Sequence, residues 1–253
     1  AECWSHGTAT FLILGDTCTR WCGYCNVKTG KPYELDLDEP KKVGDAVKKL
    51  NLKYVVITSV TRDDLEDGGS GIYAETVKEI KKSSPNCSVE LLVPDFKIRS
   101  GRILREGYLN IDALKKVIEA KPEVLAHNTE AVRRVFARVR PGGNYDVSLQ
   151  LLKKVKEIDP SMKTKSSIIL GFDETKEEII KTMRDLLDNK VDFLTLGQYL
   201  QPSMIHVKIE KYYRPEEFEE LKNIGLKMGF KHVEAGPLVR SSYRADKLNA
   251  LIK

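Results

Sequence analysis

Six short apolar runs, each followed by a polar loop and an amphipathic stretch, constrain this 253-residue chain more than any other feature. They lie at about 8–14, 53–58, 88–93, 123–127, 163–170 and 191–196. Short apolar runs bounded by polar loops suit buried strands. The stretch from Glu39 to Leu50 carries Val43, Ala46, Val47 and Leu50 at helical spacing, and further helices are expected at 71–82, 111–119, 129–136, 146–158, 175–189 and 215–228. Thr175 with Glu178 forms a capping-box start, and Gly229 closes the last helix. Strands alternating with helices predict a parallel α/β sheet. Six βα units fall short of a closed (β/α)8 barrel. The expected fold is therefore a partial (β/α)6 TIM-like barrel, a single domain over 1–253 with short terminal extensions at 1–7 and 204–253. A doubly wound open sheet is the alternative.

In parallel α/β folds, ligands gather at the carboxyl ends of the strands. The unusual loops of this chain stand there: the loop after the first run, then 59–69, 94–102, 127–130, 171–174 and 197–203. They predict one shared cavity. The first of these loops holds Cys18, Cys22 and Cys25, spaced C-x3-C-x2-C. Three thiolates can hold three irons of a [4Fe–4S] cube and leave the fourth iron open. Zinc or plain structural thiols are the alternatives. Structural zinc usually closes with four Cys/His ligands, and the nearest further candidate, His6, lies upstream across the first strand.

Hydrophobic residues at 41% and charged residues at 31% are an ordinary balance for a soluble globular chain. No apolar run approaches the ~18–20 residues of a membrane span, and no signal peptide is visible. Five cysteines, three of them clustered, suit metal binding in a reducing compartment. Cytoplasm is the default expectation, with an organellar matrix left open because the chain lacks an initiator Met. A net charge of +5 could favour an acidic partner protein. No basic run interleaved with aromatics points to nucleic acid.

The stretch Cys18-Thr19-Arg20-Trp21-Cys22-Gly23-Tyr24-Cys25 resembles the signature of the radical S-adenosylmethionine (SAM) enzymes. Further stretches are similar to one family among them, the lipoyl synthases. These are 1–11, 58–69, Val93-Pro94-Asp95-Phe96, His127-Asn128-Thr129-Glu130, Arg138-Val139-Arg140-Pro141-Gly142, 196–202 and Arg240-Ser241-Ser242-Tyr243. They span nearly the whole chain in the family's order. Other radical SAM sulfur inserters of the biotin-synthase kind, an Fe–S electron carrier and a zinc-stabilised module are the competing functions.

The resemblance implies a partial barrel and a cluster on Cys18, Cys22 and Cys25, with SAM chelating the open iron and Tyr24 near its adenine. Ser59, Asp64, Asn128, Glu130 and Arg140 are expected to hold the polar groups of SAM. Gln198 is expected at the ligand or as a satisfied core amide, and Arg62 with Asp63 as SAM contacts or as a surface ion pair. The resemblance further implies a second, auxiliary [4Fe–4S] cluster on a C-x4-C-x5-C motif, whose last cysteine matches Cys3. Its other two would precede Ala1, so residues 1–7 are expected to be the end of that extension. A serine of the Arg-Ser-Ser-Tyr stretch, Ser242 before Ser241, is the implied further ligand. Two SAM molecules would be cleaved in turn, and the auxiliary cluster would surrender sulfur to C6 and C8 of an octanoyl chain. The implied partners are an octanoylated lipoyl carrier domain or glycine-cleavage H protein, and a low-potential electron donor such as ferredoxin or flavodoxin.

Overall fold

The main sheet runs in chain order, which is how a singly wound barrel is built. In the computed structural model, which describes residues 7–100 and 103–252, its strands are β1 (Thr8–Ile13), β2 (Tyr54–Ser59), β3 (Ser88–Leu92), β4 (Val124–Ala126), β5 (Lys163–Leu170), β6 (Phe193–Gln198) and β7 (His232–Gly236). Every pairing is parallel. Helices α1 (Glu39–Lys49), α2 (Ser70–Ser83), α3 (Ile111–Glu119), α4 (Arg133–Val139), α5 (Tyr145–Ile158), α6 (Lys176–Asp188) and α7 (Pro215–Met228) fill the crossovers. The result is a curled half-barrel of six βα units closed off by one extra strand.

Side-chain alternation separates the two faces of the sheet. On the helix side, Val55, Ile57, Val89, Leu91 and Leu125 pack against Val43, Val47, Val77, Ile80 and Leu114. Beyond β4, Ile168, Leu170, Leu194 and Leu196 meet Ile179, Met183, Leu186 and Phe218. The lumen face is more polar. Lys165 of β5 reaches across β4 to Glu90 of β3 (2.8 Å), and the Tyr54 hydroxyl donates to the same carboxylate (2.9 Å). That contact between non-adjacent strands follows from the curl.

The chain returns through the lumen after β7. Val239 lies over Gly197 at the top of β6, where a Cβ would stand 2.1 Å from the Val239 carbonyl oxygen. Lower down, Ala245 packs on Tyr54 and Val56, and Leu248 packs on Val124 and Phe193. Ser88 at the foot of β3 donates to Asn249 (2.6 Å).

Three features depart from the sequence expectation. The segment expected as a C-terminal extension contains, besides the expected helix α7, a seventh strand. His232–Gly236 buries only Val233 fully, because it is an edge strand, so it lacks the apolar run that marks the others. The loop after β3 contains an antiparallel ribbon, Lys97–Ser100 with Ile103–Leu109. The helix expected from 129 starts instead at Arg133, because Glu130, at a positive φ, is still bridged to Ile168 of β5.

Candidate active site

Register decides what meets at the upper end of the lumen. Leu12, Thr58 and Leu92 stand level across β1, β2 and β3, and Ile169 stands level with Gly197. All five line one cavity of about 670 Å³. Its narrower end, about 140 Å³, is walled by Cys18, Cys22 and Cys25 with Arg20, Tyr24, Ser59, Asn128, Glu130 and Arg140.

The thiol loop is held mainly by backbone. Thr19 N–H donates to Thr61 O (3.0 Å), and Gly23 N–H donates to Val139 O (2.8 Å). Val207 N–H donates back to Gly23 O (2.9 Å), and a Gly23 Cβ would lie 2.5 Å from a Val207 methyl, so the close approach requires glycine. Cys18 Sγ accepts from the N–H groups of Arg20 (3.4 Å) and Thr61 (3.3 Å). His206 Nε2 lies 3.1 Å from Cys25 O.

All three thiols are unbridged and half-buried. Burial pushes Cys22 up to about 11, against an opposing pull from Arg140, and burial also raises Cys25. A bound metal would supply the positive charge that their thiolates need. Among the described residues no three Cys, His, Asp or Glu side chains converge on a single ion position. All three thiols line the same end of the cavity, and soft thiolates suit the irons of an iron–sulfur cluster.

Polar groups that line this end together with the thiols are short of partners. Ser59 Oγ and Asn128 Oδ1 are buried with no hydrogen bond, a condition that marks a site awaiting a ligand. Asn128 Nδ2 donates to Glu130 Oε1 (3.1 Å). Glu130 sits at φ +67°, left-handed backbone that is costly for a non-glycine residue. Its N–H to Ser167 O (3.0 Å) and its carbonyl from Ile169 N–H (2.8 Å) hold it there. Burial raises its carboxyl above the ordinary value in spite of Arg140, Asn128 and Tyr24. Tyr24 is pushed well above the usual phenol range by burial and by Glu130.

The radical SAM superfamily profile matches residues 12–186. The chain is 53% identical over 247 residues to the lipoyl synthase of Bacillus subtilis, covering 97% of this chain and 79% of that protein. It is 51% identical over 246 residues to the lipoyl synthase of Rubrobacter xylanophilus, covering 97% and 73%. The chain belongs to the lipoyl synthase family. Its fold also matches Streptococcus suis SuiB bound to S-adenosylmethionine (TM-score 0.65, 12% identity, covering 90% of this chain and 50% of that one). Methylornithine synthase matches with a TM-score of 0.63 at 15% identity, covering 94% and 76%. Membership in this radical SAM family carries a [4Fe–4S] cluster and SAM as its cofactors.

In this lipoyl synthase family member, the residues singled out from sequence do not all share one place. Cys18, Cys22, Cys25, Tyr24, Ser59, Asn128, Glu130 and Arg140 gather at the narrow end of the cavity. Gln198 lines the broad part, but its Nε2 is spent on Tyr199 O and Lys211 O (both 3.0 Å) and its Oε1 on Tyr213 N–H (2.9 Å). Asp64 does not reach the wall; Arg62 grips it with Nε (2.9 Å) and Nη2 (2.8 Å). The expected Arg62–Asp63 surface pair does not form, since Arg62 is buried and Asp63 pairs with Arg20 (2.7 Å). Arg240 and Ser241 line the broad cavity, with Ser242 half-buried beside them. Cys3 and His6 lie outside the described residues. Arg20 also lines the narrow end, and its place between Cys18 and Cys22 is the one sequence signal for it.

Proposed function

We propose that this chain inserts sulfur at C6 and C8 of an octanoyl group carried on a lysine of a lipoyl carrier domain or glycine-cleavage H protein. The observation that carries this is the thiol wall at the strand ends, in a chain about half identical to lipoyl synthases along 97% of its length. When bound, a [4Fe–4S] cluster with one open iron and SAM supply hydrogen abstraction from an unactivated carbon. Cys18, Cys22 and Cys25 would hold that cluster. Ser59, Asn128, Glu130 and Arg140 would orient SAM, with Asn128 Oδ1 and Ser59 Oγ finding in it the partners that the protein does not provide. Tyr24, in the same wall, would pack on the adenine.

The broad part of the cavity suits the acyl chain. Its volume falls within the ~300–1,000 Å³ of ordinary ligand sites, and Leu12, Val27, Leu92, Ile169 and Leu200 give it apolar walls. Arg240 and Ser241 line its side, which supports a role for the Arg-Ser-Ser-Tyr stretch beside the acyl chain. We assign the auxiliary cluster's ligation to Cys3 and a serine of that stretch, Ser242 or Ser241, with ferredoxin or flavodoxin as electron donor.

The test uses anaerobically reconstituted protein, SAM, dithionite and a peptide bearing octanoyl-lysine deuterated at C6. The 5′-deoxyadenosine produced should carry deuterium. If the nucleoside stays unlabelled, the substrate assignment fails; if the protein takes up zinc and no iron, the cluster assignment fails.

A further inference from the structure

Directly behind the thiol wall, and outside the cavity, lies Asp95, whose carboxylate is fully buried. It follows Pro94, which lines the narrow end, and precedes Phe96 at φ +44°. Asp95 Oδ2 takes Nη1 of Arg20, and Oδ1 takes Nη2 of Arg140 (2.5 Å) with His127 Nε2 at 3.2 Å. Each arginine has a second anchor. Arg20 forks onto Asp63 through Nε and Nη2 (2.7 Å each), and Arg140 Nη1 donates to Asn128 O (2.8 Å). His127 Nδ1 is fixed at Val93 O (2.9 Å).

One carboxylate thus ties together the thiol loop, the end of α4 and the end of β4. Arg20 sits between Cys18 and Cys22, and Arg140 lines the same end of the cavity as Glu130. Although burial opposes it, Arg140, His127 and Arg20 hold the Asp95 carboxyl well below the usual range, so it is ionised. A buried ion cluster contributes little stability compared with apolar packing of equal volume. Its value is in fixing where charge stands.

We propose that Asp95 is a positioning residue that holds the Arg20 and Arg140 guanidiniums against the thiol wall, setting the positive charge presented to the cluster and to the anionic end of SAM. This rests on the cluster and SAM assignment above. Asp95 touches neither group. Replacing it by asparagine keeps the shape and one acceptor but removes the charge and one of the two bridges. The freed arginine then keeps only its second anchor, Asp63 for Arg20 or Asn128 O for Arg140, and a negative charge close to the cluster disappears.

The experiment compares wild type with Asp95→Asn after anaerobic reconstitution, measuring iron per chain, SAM affinity and the cluster midpoint potential. Asp95→Asn should retain about four irons per chain. Its SAM dissociation constant should rise roughly tenfold or more, the loss of one charge-assisted bond. Its midpoint potential should move positive, because less negative charge opposes reduction. An iron-loaded variant with wild-type SAM affinity and potential overturns the proposal. If Asp95→Asn fails to fold, Arg140→Lys serves in its place. That variant keeps the charge but cannot span Asp95 and Asn128 together, and unchanged SAM affinity in it overturns the proposal equally. A wild-type protein that takes up no iron overturns the assignment beneath it instead.

Discussion

At the residue scale, the site depends on side chains whose chemistry is incomplete without a ligand. Cys22 is the middle thiol, raised by burial and flanked by Arg140 and Glu130. Cys22→Ala should abolish 5′-deoxyadenosine formation and lower bound iron, read by product chromatography and iron analysis; retained SAM cleavage would remove the thiol from the cluster. Glu130 is the second test. Its strained backbone and buried carboxyl are worth their cost only if a ligand uses them. Glu130→Gln keeps the shape, and the KM for SAM should rise roughly tenfold, the scale of one hydrogen bond to a charged group. Most of these residues could be picked out from the chain alone because they sit in short stretches at strand ends. Asp64 and Gln198 could not be sorted that way. Whether a polar side chain faces a ligand or a backbone carbonyl depends on partners far along the chain, such as Tyr213 for Gln198.

At the element scale, two junctions hold the barrel in shape. Asp192, just before β6, joins α5, β5 and the residue leading into β7 through Lys156 (2.6 Å), Thr164 N–H (2.9 Å) and Lys231 (2.5 Å). Burial alone would raise its carboxyl, but Lys156, Lys231 and the Thr164 amide together lower it. A lowered folded value means the stabilisation is present above the unfolded carboxylate range near pH 4 and lost as the pH falls through the folded value. Asp192→Asn should therefore cost about 2 kcal/mol near neutrality. In urea titrations the gap from wild type should close as the pH drops below about 4. The other junction is Gly197 under Val239. A methyl there has only backbone to push against, so Gly197→Ala should cost ~1–3 kcal/mol. At about 2–4 °C per kcal/mol for a domain of this size, the melting temperature should fall measurably. An unchanged melting temperature would mean that the C-terminal segment does not press on β6.

At the scale of the whole molecule, the open lumen of the half-barrel is stopped by the chain's own last turns. Ala245 and Leu248 cover Tyr54, Val56, Val124 and Phe193, apolar groups on an otherwise polar lumen face. Removal of residues 245–253 should speed hydrogen exchange in β2, β4 and β6 and leave the α1–α2 core protected. Uniform exchange in both regions would show that the plug does not act locally. Among the described residues no helix is long and apolar enough to cross a membrane.

What the amino-acid order determined by itself was local. The apolar runs placed six of the seven main strands within about two residues, and the thiol spacing with its neighbouring stretches named the chemistry. Both signals are carried by residues close together in the chain. The tertiary structure decided what those signals could not. It added β7, whose pairing replaces an apolar run, and it threaded the C-terminus through the lumen. It also placed Asp95 behind the thiol wall, between arginines 75 residues before it and 45 after it. Charge partners at such separations are chosen by the curl of the sheet, and no local pattern encodes them.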